Sequence, residues 1–305
     1  MTRPIAIIGA PSSIGLGPYE DGAVRHVNRA PSVLRERGLI ARLRAVDLGD
    51  VAPPPYRDFE TSPGRARNEH ELVAYSRSLG DRVSRALAHG HFAVVLGGDC
   101  SIVLGCLLAA RRRAGAVGLA YVDAHADFVS PDDSKNGAVS SMALGLAVGR
   151  GQSPLAHLGG PQPLVEPWRA AVIGRREAAP APSPDALATA SILDLRVSEL
   201  DAALELSKVG DRALARIAAH GIRGFWIHVD ADVLNPSVMR AVASPEPGGP
   251  MPHQLMTILE PLVSDPRALG LSLSVYDPAL DPDRSGARQL VHLLTALLMP
   301  PPVAH

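Results

Sequence analysis

Short apolar runs alternate with longer amphipathic stretches along the whole chain, the pattern of a parallel sheet covered by helices on both faces. Strands are predicted at Ile5 to Ile8, Phe92 to Leu96, Leu119 to Val122, Ala171 to Ile173, Phe225 to Val229 and Leu269 to Val275. Helices are predicted at Glu69 to Ala88, Ile102 to Arg113, Asp211 to Ala219 and His253 to Leu262. Val51 to Arg65, proline-rich with Tyr56 and Phe59, and the Ala-Pro alternation of Ala178 to Pro184 read as surface excursions. Neither is long enough to divide the chain, and no internal repeat is visible. One α/β domain over residues 1–305 is expected, with residues 300–305 a frayed tail.

Composition narrows the class. With 305 residues, 46% of them hydrophobic, the chain can bury a large core. No apolar run approaches the roughly 20 residues that a membrane span needs, so no membrane partner is expected. Thirty Lys and Arg against 31 Asp and Glu leave a net charge of -1, without the basic excess that a nucleic-acid backbone calls for. Two cysteines, Cys100 and Cys106, make no disulfide framework, and the N-terminus lacks a secretory apolar run, so a cytoplasmic location is expected.

The residues with chemical content follow the predicted strands, where open α/β sheets bind their ligands. Val94 to Ser101 runs from a strand into Gly97-Gly98-Asp99-Cys100. Tyr121 to Asp127 holds Asp123, His125 and Asp127 at period two, which puts them on one face if the chain stays extended. The same spacing relates His228, Asp230 and Asp232. Four aspartates gathered in one cleft repel one another unless cations compensate them. Two divalent ions would balance them, and an oxygen-rich set with one imidazole suits manganese, magnesium or iron better than a structural zinc. Such ions activate water for attack on an electrophilic carbon. A strand end bearing merely solvated carboxylates is the plain alternative, weakened by the second Asp-x-Asp on another strand.

Together these residues resemble the ureohydrolase family of arginases, agmatinases and formimidoylglutamases. The resemblance runs from Ile8-Gly-Ala-Pro-Ser-Ser-Ile-Gly-Leu-Gly17 through Gly97 to Ser101, Asp123 to Asp127, Asp230 to Asp232 and Ser244-Pro-Glu-Pro-Gly-Gly249, and ends at Leu269 to Pro278. It implies a three-layer αβα sandwich around an eight-stranded parallel sheet, with a manganese pair held by Asp123, His125, Asp127, Asp230 and Asp232. In the family Asp123 and Asp230 would bridge the ions, and Asp127 would also hold the attacking hydroxide.

Three departures qualify this. The sixth family ligand is the histidine of a Gly-Gly-Asp-His motif, and here that position is Cys100. A thiolate there would weaken the first manganese position or favour a softer ion. Alternatively Cys100 is only a small buried apolar residue. The family branch that cleaves N-hydroxyarginine to hydroxyurea also resembles this chain in carrying cysteine here. Second, Val275 replaces the glutamate that holds the guanidinium; Asp277 would take that role, or would cap the turn that follows it. Third, Ser140 stands where arginases carry a proton-shuttling histidine, leaving His228 as the nearest candidate acid or base, or as a side chain that merely hydrogen-bonds beside the strand.

Glu246 is a candidate substrate contact; Arg175 and Glu177 match a pattern that borders family pockets, or form a surface ion pair; and the loop Ser130 to Asn136, with Asp132 and Asp133, resembles the one where arginases recognise the amino-acid head group, its two carboxylates favouring an amine. The expected function is therefore metal-dependent hydrolysis of non-peptide carbon–nitrogen bonds in linear amidines, acting on a guanidino or N-hydroxyguanidino compound, with L-arginine itself doubtful. The alternatives are a catalytically degenerate family member with a structural or regulatory role, and a deacetylase-like amide hydrolase using Tyr276 and His228. Trimers or hexamers are common in the family, which makes a homo-oligomer the expected assembly.

Overall fold

A computed structural model describes residues 3–19, 21–56, 64–176, 186–202, 205–219 and 221–299. Its eight strands are β1 (Ile5–Ala10), β2 (Val46–Asp50), β3 (Phe92–Gly97), β4 (Val117–Val122), β5 (Ala170–Ile173), β6 (Leu193–Leu195), β7 (Gly224–Asp230) and β8 (Ala268–Ser274). They form one sheet in the order β2-β1-β3-β8-β7-β4-β5-β6, every pair parallel. All residues of β1, β3, β4, β5 and β7 are buried, as a sheet covered on both faces requires.

All six predicted strands form. The two edge strands, β2 and β6, were not predicted. Val46-Asp-Leu-Gly-Asp50 has exposed residues at four of its five positions, and Leu193-Asp-Leu195 is short and only partly buried, so neither has the apolar run that marks an inner strand. Charged residues on edge strands also block pairing with a further chain.

Helices pack in layers against the sheet. Glu69–Ala88 and Ile102–Ala114 lie against each other, the second also reaching β7 and β8. Another run of contacts links Ser207–Ala218, Pro252–Ser264 and Ser285–Leu298, and the last of these reaches the N-terminal helices Ala30–Glu36 and Leu39–Leu43. Cys106 is fully buried within Ile102–Ala114, and both cysteines are free. No helix among the described residues is long and apolar enough to cross a membrane. The segment Ala178 to Pro184 and the tail 300–305 lie outside the described residues.

Gly210 shows how closely the helices approach. A Cβ there would lie 2.1 Å from the Ile258 carbonyl oxygen and 3.2 Å from the ring of Pro261, a proline inside the helix Pro252–Ser264. Alanine in place of a mid-helix glycine gains about 1 kcal/mol in intrinsic propensity. Overpacking costs about 1–3 kcal/mol, and here the obstacle is backbone that moves only with its helix. Gly210→Ala is therefore expected to destabilise the fold by roughly 1–2 kcal/mol net, seen as a lower urea midpoint. A higher midpoint would mean that propensity outweighs the contact.

Candidate metal and active site

The four central neighbours β3, β8, β7 and β4 deliver the site at their C-terminal ends. Beyond β3, Gly98 passes so close to the loop after β1 that a Cβ on it would meet the Ser12 carbonyl oxygen at 1.7 Å. Asp99, fully buried, accepts bonds from Gly15 N (3.1 Å), Ser12 Oγ (3.0 Å) and Ser101 N (3.0 Å). This pin fixes Cys100, whose Sγ lies 2.9 Å from Asp230 Oδ2. Burial, reinforced by Asp230, Asp127 and Asp123, pushes the Cys100 thiol well above its usual range.

After β4 the chain does not stay extended. The strand stops at Val122, and Asp127 adopts φ +45°, a left-handed conformation uncommon for a residue with a side chain. The expected period-two alignment of Asp123, His125 and Asp127 is thus replaced by a turn. Asp123 Oδ1 accepts the His125 backbone N–H at 2.7 Å, and Asp127 Oδ2 accepts the Tyr121 hydroxyl at 2.5 Å. His125 Nδ1 lies 3.1 Å from Asp232 Oδ2 and 3.5 Å from Asp123 Oδ1, while its Nε2 is 3.7 Å from Glu246 Oε1. Beyond β7, Asp230 Oδ1 accepts Asp232 N at 2.8 Å, and Asp232 Oδ1 accepts Ala124 N at 3.3 Å, joining the two aspartate motifs.

Cys100, His125, Asp127, Asp230, Asp232, Ser140 and Glu246 line one cavity of about 300 Å³, together with Val275. Its electrostatics are dominated by crowded carboxylates. Burial and the Asp232 charge push Asp123 up to about 7. Burial likewise raises Asp127 and Asp230, helped in each by neighbouring aspartates. Burial pulls the His125 imidazole down, but its bonds to Asp123 and Asp232 outweigh that and hold its pKa well above the ordinary value.

Asp123 Oδ2 is buried with no hydrogen-bond partner among the described residues. An orphaned buried carboxylate oxygen costs several kcal/mol, which a cation would recover. Donor atoms of Asp123, His125 and Asp232 lie within 4.8 Å of one another, as do those of Cys100, Asp123 and His228. The residues present therefore fit a divalent ion, and Asp123 belongs to both groupings.

Other expectations resolve differently. Asp277 does not line the cavity: its Oδ1 caps the turn by accepting Ala279 N (2.9 Å), and its Oδ2 accepts the Tyr19 hydroxyl and His26 N (3.0 Å each). The two-residue offset from Val275 failed because β8 ends at Ser274 and Val275 turns to φ +65°. His228 also lies off the cavity wall. It is fully buried, stacked on Tyr121 at 4.7 Å, with Nδ1 2.8 Å from Ser272 Oγ and Nε2 3.3 Å from Ser274 Oγ. Tyr276 donates to Asp281 at 2.6 Å, so the pair expected of a deacetylase-like site does not assemble at the cavity.

Asp133 bonds to Ser130 and Arg150, and Asp132 and Asp133 are both absent from the cavity wall. Arg175 turns to Asp194 beside the sheet edge, and Glu177 lies outside the described residues. The sequence reading missed Arg176. Its guanidinium donates to the carbonyls of Asp232 (2.7 Å), Val233 (3.0 Å) and Glu246 (3.2 Å), tying the Asp232 turn to the Glu246 loop. The Gly-Arg-Arg step held the signal, but nothing in it separated the two arginines.

A protein-family model described as the arginase family matches residues 3–299. The arginase of Staphylococcus aureus (strain COL) is 27% identical over 300 residues, covering 96% of each chain. The solved arginase of Bacillus caldovelox superposes with a TM-score of 0.88 at 26% identity, covering 99% of this chain and 100% of that one. Proclavaminate amidino hydrolase from Streptomyces clavuligerus, at 19% identity and a TM-score of 0.71 over 97% of this chain and 91% of its own, shares the fold.

Asp123→Asn should separate the cost of the site from its use. In metal-free protein at pH 8.5, above the value of about 7 to which Asp123 is raised, it removes a buried charge, and a gain of about 1–2 kcal/mol raises the melting temperature by a few degrees. The same variant should lose most of the thermal stabilisation that added divalent ion gives the parent. Differential scanning calorimetry with and without metal reads both, and a variant stabilised by metal as strongly as the parent would refute the assignment.

Proposed function

The chain belongs to the arginase family, whose members are metal-dependent, and from that premise we propose that it hydrolyses a guanidino compound whose guanidine is less basic than that of L-arginine, an N-hydroxyguanidino compound first among them. The observation that carries this reading is the cavity itself: it gathers Asp127, Asp230, Asp232, Cys100 and His125 over an Asp123 oxygen with no partner among the described residues, yet presents Val275 where the family resemblance calls for a glutamate.

Asp123, His125, Asp127, Asp230, Asp232 and Cys100 are the residues that would hold the metal. When bound, it supplies positive charge to the carboxylates and lowers the pKa of water so that a nucleophile exists at neutral pH. Manganese suits the oxygen-rich grouping around His125, and the thiol at Cys100 weakens its hold on the other.

The chain's own groups do the rest. With Oδ2 tied to Tyr121, Asp127 has Oδ1 left to accept a proton from water and return it to the departing amine. Glu246, on the cavity wall and 3.7 Å from His125, offers a carboxylate to the substrate cation, and Ser140 offers a hydroxyl. Ser140 is fixed by its N–H to the Gly15 carbonyl at 3.0 Å. His228, fully buried and away from the cavity wall, is not assigned the acid–base role.

Val275 gives no charge to a guanidinium, so a fully cationic arginine side chain loses an ion pair that a less basic, oxygen-bearing guanidine does without. Loss of metal binding would leave the aspartate cluster destabilising the fold with nothing to offset it, which disfavours a metal-free structural role.

Release of urea, hydroxyurea or ammonia from a panel of guanidino and N-hydroxyguanidino compounds, with manganese added, should show the N-hydroxy class favoured over L-arginine by at least about tenfold in kcat/KM, near 1.4 kcal/mol. Asp230→Ala should lose about 10²-fold or more. Metal-loaded protein inert toward the whole panel would overturn the reading. In Cys100→His, elemental analysis should find more manganese per chain than in the parent, and equal amounts would clear Cys100 of weakening the site.

A further inference from the structure

Cys100 is not alone at its end of the site. Its Sγ, a carboxylate oxygen of Asp123 and a ring nitrogen of His228 lie within 4.8 Å of one another. Donors around one tetrahedral ion, bound at roughly 2.0–2.3 Å, stand about 3.5 Å apart, so a small closure would bring these three onto one metal. Asp123 Oδ2 is buried and has no hydrogen-bond partner among the described residues.

His228 is held as metal-binding histidines are held. One ring nitrogen, Nδ1, makes a firm 2.8 Å bond to Ser272 Oγ, and the ring is fixed in plane by its stack on Tyr121. Ser272 Oγ also accepts the Trp226 indole N–H at 3.0 Å, and a hydroxyl has lone pairs for both. The other nitrogen, Nε2, has only a long 3.3 Å contact to Ser274 Oγ, itself 3.6 Å from Cys100 Sγ. A nitrogen so weakly engaged beside a thiol and an orphaned carboxylate is free to bind an ion.

We propose that Cys100, His228 and Asp123 form a sulfur–nitrogen–oxygen metal position of their own, joined through Asp123 to the oxygen-rich position of His125 and Asp232. The two positions then differ in softness. The first prefers zinc, cobalt or iron(II), the second manganese, and the centre loads as a mixed pair. This inference rests on the metal-dependent reading above, and it gives His228 a ligand's part in place of the acid–base part the sequence suggested.

The test loads the full chain with one equivalent of zinc and records X-ray absorption at the zinc edge. One sulfur together with imidazole scattering is expected, and the same in His125→Asn, where the other site imidazole is gone. Equimolar zinc and manganese should then give one of each per chain by elemental analysis. His228→Asn, checked for native circular dichroism, should bind zinc at least tenfold more weakly while its manganese affinity stays within about twofold. If that variant does not fold, the absorption data on parent and His125→Asn decide alone. Zinc bound without sulfur, or with sulfur but no imidazole in His125→Asn, overturns the inference while leaving the family reading intact. Protein that takes up no divalent ion at all removes both.

Discussion

Buried like charge is the constraint to which the rest of this structure answers. Asp123, Asp230 and Asp232 are almost fully enclosed, Asp127 is partly so, and His125 is the cation set among them. One imidazolium cannot balance four carboxylates, and a charge left unpaired in the interior costs several kcal/mol. A fold with a net stability of about 5–15 kcal/mol cannot carry several such costs unaided. Without a cation, protonation is the outlet, which is why burial and mutual repulsion drive these carboxyls upward. With one, the repulsion becomes ligation. The sheet, covered on both faces, supplies the rigidity needed to hold the groups together in either state.

The supports around the cluster follow from the same need. Loops that carry repelling groups spread unless tied, and the ties are hydrogen bonds placed outside the carboxylates themselves. Asp99 clamps the loop after β1 to the loop after β3. Arg176 clamps the Asp232 turn to the Glu246 loop through carbonyl oxygens, spending its charge on backbone and not on a carboxylate. Burial lowers its pKa while the surrounding aspartates raise it. Had the guanidinium entered the cavity, it would have competed with any metal for the same oxygens. A cation one layer out stabilises the cluster and leaves it open.

What the sequence made legible follows from which forces are local. Inner strands show in sequence because both of their faces are apolar, and Ile5–Ala10, Phe92–Gly97 and Gly224–Asp230 were found on that ground. β2 and β6 were missed because an edge strand satisfies its hydrogen bonds on one side and tolerates charge on the other. Motif position carried through to the structure where the motif ends a strand, as Asp230 closes β7 and lines the cavity. Reading faces by period two failed wherever the backbone turned first. Asp127 and Val275 both leave the extended region with positive φ, and no residue type there announces it, since neither is glycine. Asp277 went to the cap because an Asp before Pro and Ala279 meets an amide two residues on, a local contact that outcompetes a distant cavity.

Those two left-handed residues sit on the same cavity wall, and that coincidence has a physical reading. A left-handed conformation costs a β-branched residue such as Val275 more than most, of order 1–3 kcal/mol, and it persists only where the surroundings over-determine it. The Val275 N–H is held by the Gly98 carbonyl at 2.7 Å, so the bend after β8 is locked to the turn that presents Cys100. Asp127 is locked by Tyr121, whose ring stacks on His228, and His228 in turn bonds Ser272 and Ser274 of β8. Strain at Val275 and strain at Asp127 are thus joined through β8, β7 and β4 behind the metal groupings. Relaxing either bend would move Cys100 or Asp127 relative to Asp123, so the fold retains the strain at the one place where the spacing of donor atoms decides what can bind.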